Sequence, residues 1–180
     1  LSISTDPGII NNVMAYGAKG DGTTDDTDAI QSAIDNARDG GIVFFPNPPD
    51  RYNHTTLKVG RDRILTGEGK WTQLYNIGSG PSIINSGGNV SRTVIKNLFI
   101  NSDEGNSHGI YFDNLDFASR NIRLENLYIK NMGEQGIYIP SGGEIFSSTL
   151  KNIYIENTGK DGIYGHFGPS VKLDQIYTNN

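Results

Sequence analysis

The sequence predicts an all-β fold: a parallel β-helix preceded by an amphipathic helix. Two motifs in step and one helical stripe predict it. Ile95-Lys-Asn-Leu-Phe-Ile100 returns as Leu124-Glu-Asn-Leu-Tyr-Ile129 and as Leu150-Lys-Asn-Ile-Tyr-Ile155, and a fourth version runs from Leu173 to Thr178. Gly-Ile-Tyr follows each complete copy, ending at Tyr111, Tyr138 and Tyr164. The first motif recurs after 29, 26 and 23 residues and the second after 27 and 26, so both keep one period. A shared period of this length marks a solenoid. Ala29, Ile30, Ala33, Ile34 and Ala37 form the helical stripe.

Each repeat alternates apolar and polar residues in short runs, rich in Ile, Leu, Tyr and Phe and separated by Gly, Asn and Ser. That is strand and turn chemistry with a period of two. No repeat holds the ten or so residues of helical periodicity that a helical repeat needs. Coils with two or three short strands stack about 4.8 Å apart and align equivalent residues in columns.

Taken in order, residues 1–46 form a lead-in and capping segment, and residues 47–180 form the coils of the same domain. Val13 to Tyr16 reads as a short strand, and Gly17, Gly20 and Gly22 as a tight loop. Thr24 or Asp25 is placed to cap the helix, with acidic residues at its positive end. Asp39-Gly40-Gly41 stops it, and Gly41 to Phe45 is a buried strand ended by Pro46. Across 47–90 the repeat is less regular. Thr55–Val59, Arg63–Thr66, Trp71–Tyr75 and Ser82–Asn85 read as strands. Trp71, the single tryptophan, is expected to cover the early core under the cap rather than serve as a sugar platform. The chain ends within a strand of the next coil, which predicts an N-terminal piece of a longer β-helix, or an end covered by another chain.

Residues 12–46 closely resemble the opening of the pectate lyase-like β-helix superfamily. The resemblance rests on Asn12, Val13, Tyr16-Gly17-Ala18, Gly20-Asp21-Gly22, Asp25-Asp26-Thr27, Ala29-Ile30-Gln31, Ala33-Ile34-Asp35, Gly40-Gly41 and Phe45-Pro46. It implies a helix that caps the first coil of a right-handed β-helix, hiding its apolar cross-section and strand edges. Members of the superfamily include bacterial and phage polysaccharide lyases, hydrolases and epimerases, and phage tailspikes. The resemblance therefore implies a secreted or virion-surface setting and a polysaccharide partner. Polygalacturonase motifs are absent apart from half of one, at Gly165-His166. The epimerase Tyr-Gly-x-Asp-x-His set is replaced by Gln135-Gly-Ile-Tyr-Ile-Pro140.

Composition narrows the remaining classes. A net charge of −5 over 180 residues argues against nucleic acid and anionic membranes, which need a basic stripe. With no cysteine there is no disulfide framework, thiol nucleophile or Cys-type zinc site. No apolar run is long enough to span a membrane. No cofactor is identified. Calcium at Asp21, Asp25 and Asp26 is the one ion site the pattern could build, set against a purely structural turn and cap.

The columns supply the candidate site. Leu98, Leu127, Ile153 and Ile176 should face inward with Ile100, Ile129 and Ile155, and Asn97, Asn126 and Asn152 should form an amide ladder. Phe99, Tyr128, Tyr154 and Tyr177 should form one outward aromatic column, and Tyr111, Tyr138 and Tyr164 another. Such rings suit glycan stacking, a subunit interface such as a homotrimer, or plain strand surface. Beside the second column, Glu134 and Asp161 lie one coil and one residue apart, the separation glycoside hydrolysis uses. Lys160 and His166 could serve a uronate substrate as charge neutraliser and base. The candidate catalytic residues are therefore Glu134, Asp161 and His166, with Tyr111, Tyr138, Tyr164 and Lys160 binding substrate and no metal. The expected function is cleavage of a polysaccharide by lysis or hydrolysis, within a phage tailspike in one version. The alternative is a non-catalytic glycan-binding or trimeric shaft or adhesin module.

Overall fold

The computed structural model describes residues 9–103, 105, 107–115, 119–140 and 144–179. Along the chain run β1 (Ile10–Asn12), α1 (Thr27–Asp35), β2 (Gly41–Phe44), β3 (Tyr52–His54), β4 (Leu57–Val59), β5 (Arg63–Thr66), β6 (Gln73–Asn76) and β7 (Ile83–Asn85). They continue with β8 (Val94–Ser102), β9 (Ile110–Tyr111), β10 (Arg123–Met132), β11 (Ile137–Ile139), β12 (Thr149–Thr158), β13 (Ile163–Gly165) and β14 (Lys172–Asn179). Every strand pairing among the described residues is parallel. One sheet of five strands stacks β4, β7, β9, β11 and β13. The other holds nine, with β1, β2, β5, β8, β10, β12 and β14 in sequence and β3 and β6 on a branch that rejoins at β8. This is a parallel β-helix of about five turns.

The predicted inward columns are the core. Leu98, Leu127 and Ile153 are buried, as are Ile100, Ile129 and Ile155, and Ile95, Leu124 and Leu150 line up behind them. Three long strands, β8, β10 and β12, bend at an asparagine in the left-handed region, with φ of 56° at Asn97, 53° at Asn126 and 52° at Asn152, and β14 bends at Gln175 with φ 55°. Asparagine tolerates this conformation better than other residues that carry a Cβ. Its side chains then hydrogen-bond along the axis. Asn126 Nδ2 donates to Asn97 Oδ1 and Asn152 Nδ2 to Asn126 Oδ1, both at 2.9 Å. A second ladder that the sequence reading missed runs from Asn157 through Asn131 to Asn101, at 2.7 and 3.0 Å. A further column of left-handed residues lies one or two positions before β2, β5, β8, β10, β12 and β14: Gly40, Asp62, Arg92, Asn121, Ser147 and Ser170, with φ between 47° and 77°.

The cap lies where expected, with its details corrected. Val13–Tyr16 is one turn of 3₁₀-helix rather than a strand. Asn12 Oδ1 accepts from the Met14 amide at 2.9 Å and Gly17 closes the turn at φ 106°, so local capping outweighs the alternating pattern. Ile30, Ala33 and Ile34 face the core. The cap position falls on Asp26 rather than on Thr24 or Asp25. Its carboxylate turns away from the helix and accepts from the Lys19 and Gly20 amides at 2.7 and 3.0 Å, which fixes the glycine loop. The helix ends at Asp35, ahead of Asp39-Gly40-Gly41, because Asn36 Nδ2 donates back to the Ser32 carbonyl at 2.8 Å.

The irregular stretch has one structural cause. Thr66 pairs with Lys96 and Gln73 with Phe99, so six residues, 67–72, span the place that Asn97 and Leu98 fill in the next coil. The surplus loops outward and carries Trp71 with it. Trp71 is 72% exposed and covers no core, which overturns the expectation from sequence.

Candidate functional site

The five-stranded sheet presents the Gly-Ile-Tyr motifs in register: Ile110, Ile137 and Ile163 inward, Tyr111, Tyr138 and Tyr164 outward. The glycines allow the coils to stack. A Cβ on Gly109 would lie 2.5 Å from the Gly136 carbonyl oxygen, and one on Gly136 would lie 2.8 Å from that of Gly162. The tyrosine rings form a ladder, with centroids 5.2 Å apart between Tyr111 and Tyr138 and 5.6 Å between Tyr138 and Tyr164. The first pair is stacked at 24° and the second tilted at 48°, and both avoid the face-to-face sandwich that aromatic quadrupoles disfavour.

His108 joins the ladder, a role the sequence reading did not assign. Its ring stacks on Tyr138 at 4.8 Å and 17°, and sits 5.0 Å from Tyr111. The Gln135 amide donates to His108 Nδ1 at 3.3 Å, which leaves the proton of the neutral ring on Nε2. Partial burial holds its pKa below the usual histidine range, opposed by Glu134 and reinforced by Lys160. The signal was faint in the sequence because His108, Gln135 and Asp161 share one column position and no chemistry.

The candidate charged residues gather beside the ladder. Pairing of Ile137 with Ile163 sets Glu134 opposite Lys160 and Gln135 opposite Asp161. Lys160 Nζ lies 2.5 Å from Glu134 Oε2, so Glu134 faces a cation rather than a second carboxylate. That contact raises the Lys160 pKa above the usual lysine range. Asp161 is exposed, and its backbone carbonyl accepts from the Gly136 amide at 3.4 Å. His166, exposed at the far end, meets Tyr164 edge-on at 6.4 Å. Gln135 is buried, and its side-chain oxygen is without a hydrogen-bond partner among the described residues. The arrangement offers flat apolar rings, a histidine Nε2–H donor, an acid–base pair and a second histidine along one axis. A sugar chain could stack on the rings and hydrogen-bond to their polar neighbours.

The loop aspartates are engaged locally. Asp21 accepts from the amides and hydroxyls of Thr23 and Thr24, which hold its pKa well below the usual carboxylate range. Asp25 accepts from Thr27, and Asp26 from Lys19 and Gly20. Among the described residues no three His, Cys, Asp or Glu side chains group as a metal ion requires. No helix there is long and apolar enough to cross a membrane.

Comparisons with known proteins extend this picture. Residues 10–48 match the family model "Rhamnogalacturonase A/epimerase, pectate lyase-like". A 38-residue stretch, 20% of the chain, is 63% identical to "Alginate lyase 7" of Azotobacter vinelandii and covers 4% of that protein. The A-module of the mannuronan C-5 epimerase AlgE4 from the same organism superposes with a TM-score of 0.80 at 23% identity. That match covers 93% of this chain and 51% of the module. ORF18 of Geobacillus virus E2 gives a TM-score of 0.74 at 21% identity, over 96% of this chain and 39% of the viral one. The chain thus spans about half, or less, of each of these proteins. The resemblance drawn from residues 12–46 holds over the segment that the family model matches, and the chain as a whole carries the parallel β-helix fold of these solved structures.

Proposed function

We propose that this chain is the polysaccharide-engaging part of a carbohydrate-active β-helix protein, with the polymer lying along the Gly-Ile-Tyr face. The observation that carries the reading is the continuous stack of His108, Tyr111, Tyr138 and Tyr164, with Glu134, Lys160, Asp161 and His166 beside it. A ladder of rings along the helix axis suits a linear polymer, because it lays a continuous apolar strip, with polar groups beside it, along the polymer's length. The family model over residues 10–48 and the 63% identity to a lyase segment support a polysaccharide as the substrate class. In this reading Glu134, Asp161 and His166 supply acid and base to the bond broken, and Lys160 steadies a uronate carboxylate.

The test is product formation from a panel of uronate and neutral polysaccharides, read as new ultraviolet absorbance for lysis and as new reducing ends for hydrolysis. Tyr138→Ala should weaken substrate binding. Glu134→Gln or Asp161→Asn should remove turnover and leave binding in place. Full turnover in both carboxylate variants would refute the catalytic roles.

A second reading is favoured by the Glu134–Lys160 ion pair: a face that binds glycan without cleaving it. Glycoside hydrolysis calls for two carboxyl groups at the bond, one of them protonated, and here one faces an ammonium instead. Saturable binding with no product from any polymer of the panel would decide for that reading.

A further inference from the structure

We infer that the chain has a second saccharide-binding groove on its nine-stranded sheet, built around Trp71 and taking a neutral glycan chain. This inference is independent of the Gly-Ile-Tyr face, which lies on the other sheet. The groove encloses about 510 Å³ and is lined by Trp71, Phe99 and Tyr128 with Asp50, Lys70 and Gln73 at its edges. Its floor continues beyond the groove as a ring column. Phe99 meets Tyr128 edge-on at 5.0 Å, Tyr128 and Tyr154 stack at 4.8 Å with planes 4° apart, and Tyr177 follows at 6.4 Å.

The six-residue bulge sets Trp71 in place before any ligand arrives. Thr72 is fully buried, and its hydroxyl donates to Asn47 Oδ1 at 2.7 Å while accepting from the Glu68 amide at 2.9 Å. The Asn47 amide closes the loop on Glu68 Oε2 at 2.6 Å. The Gly67 and Gly69 amides donate to the Lys96 and Asn97 carbonyls at 3.2 and 3.1 Å, which pins the bulge to the next coil. A Cβ on Gly67 would stand 2.5 Å from the Asn97 carbonyl oxygen, so the loop can approach this closely only with glycine there. With the loop backbone already fixed, binding has little left to order beyond the Trp71 side chain itself.

The borders of the ring column choose the occupant. The aromatic strip is one residue wide. Along one side runs the Asn97–Asn126–Asn152 ladder, and along the other the Lys130–Glu156 pair at 2.5 Å. Glu156 also accepts from the hydroxyls of Tyr128 and Tyr154. A stable protein interface buries roughly 800 Å² of surface per partner, which a strip one residue wide does not offer by itself. A strip framed by amides and hydroxyls suits sugar rings instead, with their apolar faces on the aromatics and their hydroxyl edges on the borders. Charge points the same way: Asp50 and Lys70 line the groove with opposite signs, Lys70 Nζ lies 5.1 Å from the Trp71 ring centroid, and Lys130 pairs with Glu156, so no net charge here selects a polyanion.

Trp71 is the chain's single tryptophan, so its emission reports on this groove alone. The test is a fluorescence titration with hexasaccharides of β-1,3-glucan, β-1,4-glucan and β-1,4-mannan, with a hexamannuronate arm beside them. A saturable change with at least one neutral hexasaccharide is expected. Phe99→Ala should weaken it roughly tenfold, the loss of one stacked ring, and Tyr138→Ala on the other sheet should leave it intact. If Phe99→Ala lowers the unfolding midpoint, Gln73→Ala removes a rim hydrogen-bonding group without touching the stack and should still weaken binding. No response to any neutral hexasaccharide overturns the proposal. So does a response to hexamannuronate alone, or emission that changes with protein concentration and marks the groove as a contact between copies. Loss of product formation in Tyr138→Ala with the Trp71 response retained separates this groove from the first site.

Discussion

Replacing Asn126 tests what bends the long strands. Asn126 sits at φ 53° in the middle of the first amide ladder, donating to Asn97 and accepting from Asn152, both at 2.9 Å. Alanine removes both hydrogen bonds and places a Cβ in the left-handed region. The two bonds are exposed, so each contributes about 0.5 kcal/mol, the low end for a protein hydrogen bond. The backbone conformation adds about 1 kcal/mol. Asn126→Ala should therefore cost about 2 kcal/mol, and Asn126→Gly, which keeps the conformation and loses only the bonds, about 1 kcal/mol. Denaturant unfolding followed by far-ultraviolet circular dichroism measures both. If the alanine variant is no less stable than the glycine variant, the left-handed bend is not what asparagine serves. If the glycine variant matches the parent, the ladder contributes nothing.

Three further outcomes follow from the packing. His54 is fully buried, with Nε2 3.1 Å from the Ser82 hydroxyl and Nδ1 against the Thr55 carbonyl, and burial lowers its pKa from 6.5 to about 4. The unfolded chain binds this proton first, so stability is complete above pH 6.5 and falls as pH drops towards 4, by about 3 kcal/mol in all. Unfolding free energies across that window, with His54→Gln flattening the slope, check it. Gly136→Ala should cost about 2 kcal/mol in the same unfolding assay, since its Cβ would sit 2.8 Å from the Gly162 oxygen and 2.7 Å from Ile155 Cγ2. Leu127→Ala, buried between Leu98 and Ile153, should cost about 3 kcal/mol by calorimetry or denaturant, the usual price of a core cavity.

The fold was legible because stacking converts a sequence period into a column. Leu98, Leu127 and Ile153 had to share an environment once they shared a position, and the same held for the three tyrosines of Gly-Ile-Tyr. What failed to show had local causes. Val13–Tyr16 alternates like a strand, and only the Asn12 cap and Gly17 make it helical. Trp71 looked like core because its bulge has no counterpart in later coils. The second amide ladder was hidden by an offset: Asn101 pairs opposite Lys130, so Asn131 reaches it diagonally. At the candidate site the charged residues were readable as neighbours, but not their partners. Spacing put Glu134 near Asp161 and in one column with Lys160, and the ion pair with Lys160 became visible only with the side chains placed.

The corner column from Gly40 to Ser170 has a consequence for engineering. Six successive corners turn there in the same left-handed conformation, with a glycine, an aspartate, an arginine, an asparagine and two serines. The bend is thus set by the backbone ladder around it, and side-chain identity only adjusts its cost. At Ser147 and Ser170, whose φ values are 47° and 63°, glycine would relieve strain of up to about 1 kcal/mol each. Neither change touches an aromatic face. Stability can be added at this corner while the aromatic surfaces are varied independently, which makes the coil a scaffold whose display and support are separable.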